Sequence, residues 1–394
     1  MDPLGLYISI PFCRSKCTYC NFASGVFPAI YFGQYVERVE KDLCEIRAQA
    51  ARWGARLPEL VDSIYLGGGT PSLLPPALVT RLFTEIRRVF SVAADAEITV
   101  ECAPGQLEDE TLAAMTECGV NRVSFGVQSF IDEEAKHSGR LHTREIALRD
   151  VDRVRATGIS RVNLDLIAGL PGQTRASWRE SLEVLRGAMS HHTSIYMLEV
   201  DEDSRLGREI ASGGLKYFAP QVPADDAIAD MYVEASEFLN VNGLPQYEIS
   251  NFAARGAESR HNLKYWQRQP YLGLGLDAHS MLRDADRRTL RFATTDQLEP
   301  FLNAAGWAQP QRLTREEELE EAWFLGLRLN AGVSLTAMRA EFGGDAVAHF
   351  DPVLTDLASD GLIEFAEDQI LLTQQGRLLS NDVFVHFLAK PVNA

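Results

Sequence analysis

The chain of 394 residues has no apolar run that approaches the roughly 20 residues needed to span a membrane. Its opening, MDPLGLYISIPF, lacks the basic start and small-residue cleavage site of a signal peptide and reads directly as a strand. A cytoplasmic location is expected. Basic residues are in deficit, 38 against 55 acidic ones, and a net charge of -17 repels phosphate backbones. Nucleic acid is therefore not an expected partner. Internal repeats and low-complexity tracts are missing too. Cysteine is scarce, with six residues in the whole chain, which excludes a disulfide-stapled scaffold. The length exceeds one ordinary domain of roughly 100–200 residues, so two or three are expected.

What is present is an alternation of short strand-like runs with amphipathic helical stretches. LYISI (6–10), DSIYL (62–66), EITVE (97–101), RVSFG (122–126), RVNLDLI (161–167) and SIYMLEV (194–200) read as strands, separated by helical patterns at 34–50, 76–89, 108–117, 143–156 and 174–188. Six such units predict an α/β fold with a parallel sheet closed partway into a (β/α)6 barrel, too few for an eightfold one. Residues 201–310 read as an irregular extension wrapped on that barrel. From 314 the pattern is helical, with Thr314 and Ser334 as caps, and it ends in a hairpin, GLIEFAEDQILLTQQG. Helices followed by a hairpin predict a small winged-helix-like domain, and its Asp and Glu content argues for packing or a lid rather than DNA binding. The expected division is 1–235 for the partial barrel, 236–312 for the extension and 313–394 for the last domain.

Polar and glycine-bearing segments follow the strands: GGGTPS, CAPG, VQSF and AGLPGQ. Active sites of α/β sheets form at the carboxyl ends of strands, so these loops predict one shared site. Three of the six cysteines, Cys13, Cys17 and Cys20, crowd into the loop after the first strand with C-x3-C-x2-C spacing. Thiolates this close converge on a soft metal centre. A structural zinc would need a fourth ligand, and none is nearby. Three cysteines instead suit a 4Fe-4S cluster with one iron left for an exogenous ligand. Cys44 and Cys118 fall in helical patterns and are expected to be buried thiols.

The triad, with Tyr19 before its third cysteine, resembles the radical S-adenosylmethionine superfamily. The resemblance implies that S-adenosylmethionine binds the open iron and is cleaved by one electron to methionine and a 5'-deoxyadenosyl radical. It implies further that Gly68, Gly69 and Thr70 of the GGGTP run form the edge that receives the methionine part of the ligand. Glycines there let backbone approach closely. Beyond the superfamily, the chain resembles the subgroup containing oxygen-independent coproporphyrinogen III oxidase, in which residues matching Tyr7, Glu101, Gln128, Arg140 and Asp165 contact S-adenosylmethionine. Without the resemblance, Arg140 and Asp165 read as an ion pair and Gln128 as a loop hydrogen-bonder. Asp165 is notable in an otherwise apolar strand, where an ionised carboxylate is costly unless bonded. One departure is Ala103, where the subgroup commonly has asparagine.

Within that subgroup two functions compete. The oxidases carry another cysteine two residues after the third and an extension before the first strand, whereas this chain has Phe22 there and starts six residues before Tyr7. Both departures favour the HemW-type heme chaperones, whose HNxxYW signature is met by His261, Asn262, Tyr265 and Trp266. The resemblance implies heme as a third cofactor and a heme-acceptor protein as partner, and is compatible with peripheral contact with membrane hemoproteins. His261 is the implied heme contact, since imidazole ligates iron and the neighbouring rings suit a porphyrin; a structural hydrogen-bonding role is the plainer reading. His279 is an alternative ligand or part of the floor beneath the cofactor. Radical chemistry would then be vestigial or regulatory, so the chain's standing as an enzyme stays open. The other reading is oxidative decarboxylation of coproporphyrinogen III propionates.

Overall fold

Alternate residues of the first strand face different surroundings. In β1 (Leu4–Ile10), Leu4, Leu6, Ile8 and Ile10 are fully buried, while Gly5, Tyr7 and Ser9 point to the opposite face. The computed structural model, which describes residues 2–303 and 306–388, repeats this split in β2 (Leu60–Gly68), β3 (Ser91–Cys102), β4 (Arg122–Gln128), β5 (Arg161–Ala168) and β6 (His192–Met197). One face carries Ile64, Ile98, Val100, Val123, Phe125, Leu164 and Ile195, all buried under helices. The other carries Ser63, Thr99, Ser124, Asn163 and Ser194, which are just as buried but polar. The apolar face thus meets the helices, and the polar face lines the barrel.

The six strands pair in chain order and in parallel. They are linked by α1 (Ile30–Arg52), α2 (Pro76–Val89), α3 (Asp109–Glu117), α4 (Arg144–Ala156) and α5 (Arg175–Gly187). In α2, Pro76 sits at the permissive first position, and Val79, Leu82, Phe83 and Ile86 repeat at helical spacing to form its buried stripe. In α5, Trp178 is fully buried and its indole donates to the Met231 carbonyl at 2.8 Å. Truncation to alanine there would cost about 3–5 kcal/mol. The (β/α)6 expectation holds, with strand ends moved by a few residues.

The stretch 201–310 is more regular than its composition implied. It holds α6 (Asp225–Val241), β7 (Asn251–Ala253), α7 (Arg260–Trp266), β8 (Tyr271–Gly275), β9 (His279–Asp284) and β10 (Thr289–Ala293). Rather than wrapping the barrel, β8 pairs in parallel with β1 and carries β9 and β10 with it, and β7 pairs antiparallel with β6. The result is a 12-stranded sheet in the order β10-β9-β8-β1-β2-β3-β4-β5-β6-β7, edged by short strands. Its two ends do not pair among the described residues, so the barrel is open on one side. Gly and Pro in this region mark turns between short strands, which hid the pattern.

The C-terminal module starts with α8 (Arg315–Leu327), capped by a reciprocal pair of bonds between Thr314 and Glu317. Then come α9 (Leu335–Phe342), capped by Ser334, α10 (Asp351–Ser359) and the antiparallel hairpin β11 (Ile363–Ala366) and β12 (Gln369–Leu372), joined by Val333–Ser334 into a three-stranded sheet. Trp323, Ile370, Val383 and Phe387 anchor its own core. This is the winged-helix-like arrangement read from the sequence; residues 389–394 of the expected domain lie outside the described residues, as does Met1 of the first.

One expectation about the cysteines fails. Cys118 is buried as expected, but Cys44 is exposed. The buried stripe of α1 runs through Val36, Val39, Leu43 and Ile46, and Cys44 lies one step off it. Its thiol donates to Glu85 at 3.0 Å and accepts from Arg88 at 2.9 Å, both on α2.

Candidate functional site

The loop after β1 is fixed by backbone bonds before any side chain is considered. Gly25 N–H donates to the Pro11 carbonyl and Cys13 N–H to the Gly25 carbonyl, both at 2.9 Å, closing the loop on itself. Thr18 N–H donates to Ser138 at 3.1 Å, and the Thr18 carbonyl accepts from Leu206 at 2.8 Å. The GGGTP run lies alongside: Gly69 N–H donates to the Ile10 carbonyl and Thr70 N–H to that of Phe12, both at 2.8 Å. A Cβ on Gly69 would stand 2.8 Å from each of those two oxygens, so only glycine fits. The run is therefore a cradle for the cysteine loop.

Within the loop, Cys13, Cys17 and Cys20 are all half-buried and free. Each has a polar neighbour that suits a thiolate: Thr70 Oγ1 is 3.9 Å from Cys13, Arg140 Nη1 donates to Cys17 at 3.5 Å, and Ser24 Oγ is 3.9 Å from Cys20. Burial pushes the Cys13 thiol up, the ordinary cost of desolvating a thiolate. Among the described residues no three His, Cys, Asp or Glu side chains close around a single metal ion. A set of three thiols spread along a fixed loop matches the donor set of a multi-iron cluster better than that of a mononuclear ion. Tyr19 packs its ring on Ile167, Leu170 and Leu206 and keeps its hydroxyl within hydrogen-bonding reach of Cys17, anchoring the loop.

The strand ends beside the loop bring the other expected residues together. Glu101, at the end of β3, accepts from Tyr65 OH at 2.8 Å and from Gly68 N–H at 3.1 Å, and burial pushes its carboxyl up to about 7. A cationic ligand would restore its charge. Arg140 reaches back over β4 to the Gly126 carbonyl and to Cys17, with its Nε unpartnered. The ion pair with Asp165 does not form among the described residues. Asp165 accepts instead from Asn163 at 2.7 Å and Ser124 at 3.1 Å, while burial raises its pKa. Gln128 follows a bulge in β4, with φ at 69°, and its buried Oε1 has no partner. Unpartnered buried groups at strand ends are what a polar ligand satisfies. The residues present thus fit an amino-acid-bearing cofactor next to an iron–sulfur cluster.

Tyr7 lies one layer deeper, its ring centroid 6.1 Å from that of Tyr65, and burial raises its hydroxyl far above the usual range. Below it the barrel is closed by α7. Lys264 Nζ donates to Pro3 at 2.9 Å and pairs with Asp62 at 2.7 Å, and buried Glu97 holds Arg122 at 3.5 Å and the His261 N–H at 3.1 Å. His261 is 1% exposed; Nδ1 bonds Ser63 Oγ at 3.0 Å and Nε2 bonds Tyr265 OH at 2.8 Å. Burial lowers its pKa to about 3, so it is neutral with both nitrogens engaged. It belongs to the floor of the barrel, not to the cysteine end. His279 is no part of that floor: it is exposed at the start of β9, on the outer hairpin, 4.0 Å from Asp277.

Sequence reasoning missed the hydroxyl and amide layer that holds Asp165, namely Ser124, Asn163 and Ser194. The signal was available as polar residues at every second position of RVSFG and RVNLD. It also missed His142, whose buried Nε2 is unpartnered and whose pKa falls to about 4 through burial and Arg140.

Comparison with known proteins agrees with this construction. The radical SAM superfamily matches residues 7–185, and the HemN C-terminal domain matches 313–379. A heme chaperone HemW of Bacillus subtilis is 35% identical over 98% of this chain and 99% of its own length, and that of Escherichia coli is 33% identical over 99% of each. In structure, the coproporphyrinogen III oxidase HemN of Escherichia coli superposes with a TM-score of 0.82 at 24% identity, covering 98% of this chain and 90% of that one. That likeness establishes the fold.

Proposed function

The chain belongs to the HemW family within the radical SAM superfamily, and from that premise we propose that it is a heme chaperone, which binds heme and delivers it to an acceptor protein. The observation that carries this is identity of 33–35% with heme chaperones over essentially the whole chain. Phe22, in the place of the oxidases' further cysteine, supports it.

In this reading Cys13, Cys17 and Cys20 hold a 4Fe-4S cluster. Gly68, Gly69, Thr70, Glu101, Gln128, Arg140 and Asp165 hold S-adenosylmethionine beside it, with Tyr7 below and Tyr19 against Cys17. Bound together, the two supply one-electron chemistry. The protein's own part is to orient and to exclude water. Glu101 offers a carboxylate to the ligand's ammonium, Arg140 shields Cys17, and the Asn163–Ser124 layer keeps Asp165 pointed at the ligand. For His261 the role of heme contact carries a condition: it must release Ser63 or Tyr265. No helix among the described residues is long and apolar enough to cross a membrane. A reducing cytoplasm is the compartment in which thiolates and cluster would persist.

The test uses the anaerobically reconstituted full chain. Heme titration should give saturable uptake and transfer to an apo-hemoprotein. Incubation with coproporphyrinogen III, S-adenosylmethionine and a reductant should give no protoporphyrinogen. Product without heme uptake would replace the chaperone by the oxidase.

A further inference from the structure

The open side of the barrel, between the β6–β7 edge and α7, is where the C-terminal module leans in. Glu248 bridges Leu329, Ile249 N–H donates to the Arg328 carbonyl at 3.2 Å, and Asn330 Nδ2 donates to Gln246 at 2.9 Å. Arg328, just past the end of α8, therefore arrives beside Trp266, the last residue of α7. Its guanidinium carbon stands 4.3 Å from the Trp266 ring centroid and 5.8 Å from that of Phe384.

Four buried polar atoms at this junction have no partner: Arg328 Nε, Trp266 Nε1, Glu248 Oε2 and Asn330 Oδ1. Glu248 is 1% exposed, so its free oxygen is not facing water. The side chain of Arg328 makes no hydrogen bond or ion pair among the described residues. Two other half-buried arginines are paired with carboxylates, Arg291 with Glu321 at 2.7 Å and Arg268 with Glu341 at 2.6 Å. Arg328 is half-buried: its Nε is sealed from water without an acceptor, a cost that one supplied from outside would remove, while its terminal nitrogens stay open to an incoming group.

The position of the rings limits what that acceptor is. With Trp266 and Phe384 near its faces, the guanidinium has its N–H donors left in plane, the geometry of a bidentate carboxylate. The Trp266 indole N–H adds a further donor. Behind Trp266, Tyr265 packs at 6.2 Å and the buried Tyr271 packs in turn on Tyr265, with centroids 4.5 Å apart. A chain of net charge -17 otherwise repels anions, so an unpaired guanidinium has a specific use.

The geometry points to Arg328, seated on Trp266 at the open side of the barrel, as the anchor for a propionate carboxylate of the heme. This rests on the heme reading above and adds the group that recognises the pigment's carboxylate edge. It also divides the HNxxYW segment in two, His261 turning into the floor and Trp266 turning out to the ligand. Glu248 acts on Arg328 through its charge, without contact, and a purely structural Arg328–Glu248 pairing is the rival.

The experiment titrates the reconstituted full chain with heme and with heme dimethyl ester, in wild type, Arg328→Gln and Arg328→Lys. Wild type should bind heme about tenfold more tightly than the ester. R328Q should bind both at the ester's level, and R328K should recover part of the difference. Ester affinity serves as the folding control, because a misfolded variant loses both. If R328Q keeps the wild-type preference for free carboxylates, the anchor is wrong and the heme function stands. If R328Q binds both pigments at the ester's level while R328K discriminates as fully as wild type, charge alone suffices and the bidentate anchor is overturned. If wild type binds neither, the function falls and this inference with it.

Discussion

The two ends of one barrel make an instructive pair. Both are built from the same inward, polar face of the same strands, and both are buried. At the amino end the partners come largely from within: His261 uses both nitrogens, Glu97 gathers Arg122, Ser259 and a backbone N–H, and Lys264 pairs with Asp62. At the carboxyl end Gln128 Oε1, Arg140 Nε and His142 Nε2 are left over. Burial lowers the His261 pKa to about 3 and raises Glu101 to about 7, disfavouring charge at each end alike. Burial does not mark the site. Leftover donors alone do not mark it either, since Arg122 Nη2 in the floor lacks a partner too; what marks it is that the leftovers stand beside the cysteine loop.

The sharpest way to break this contrast is Cys17→Ala. Iron after anaerobic reconstitution should fall from about four per chain to near zero, with the floor untouched; full iron content would dismiss the triad. Next, His261→Ala should lower stability by about 2–4 kcal/mol in urea unfolding, because Ser63 and Tyr265 lose their partner and a cavity opens. Iron loading should not change. If instead heme affinity collapses while stability holds, His261 is a ligand rather than a floor stone.

Two glycines sharpen the pair further. At Gly69 a Cβ would strike the Ile10 and Phe12 carbonyls, which cannot swing aside, so Gly69→Ala should cost about 1–3 kcal/mol and impair cluster loading. At Gly5 a Cβ would meet Lys264 Cδ at 2.8 Å, Ser63 Oγ at 3.1 Å and His261 Cε1 at 3.3 Å, in a floor where Lys264 is buried and held by Pro3 and Asp62. Gly5→Ala should therefore also cost about 1–3 kcal/mol, but leave loading intact. Loss of loading in Gly5→Ala would show that the two ends are not independent.

The smallest effect is a pH dependence. The folded carboxyl of Glu101, raised from 4.5 to about 7, holds a proton that the unfolded chain has lost. Its contribution to stability is present below the unfolded value and disappears as pH rises through about 7. In the metal-free, ligand-free protein, Glu101→Gln should gain melting temperature relative to wild type between about pH 5 and about pH 8. A pH-independent difference would mean that Glu101 is not held protonated.

Much of this was legible beforehand. The six barrel strands and five connecting helices stand where periodicity placed them, because long amphipathic helices and alternating strands leave a local signature. The cysteine end was legible because its residues cluster at strand ends. The segment 201–310 was not, since β7, β8 and β10 are three to five residues long and take their order from pairing with β6 and β1, far away in sequence. His261 illustrates the same gap. Its aromatic neighbourhood reads as a ligand pocket along the chain, and only folding shows Ser63 and Tyr265 claiming its nitrogens. Cys44 points outward for a reason of helix phase that a single register step decides.

The stitching of the cysteine loop has a consequence for what it tolerates. Gly25, Thr18, Gly69 and Ser138 hold the loop through backbone bonds, so its course is set by main-chain groups that side-chain exchange leaves in place. A substitution of Cys13, Cys17 or Cys20 thus removes one donor without redrawing the loop that carries it.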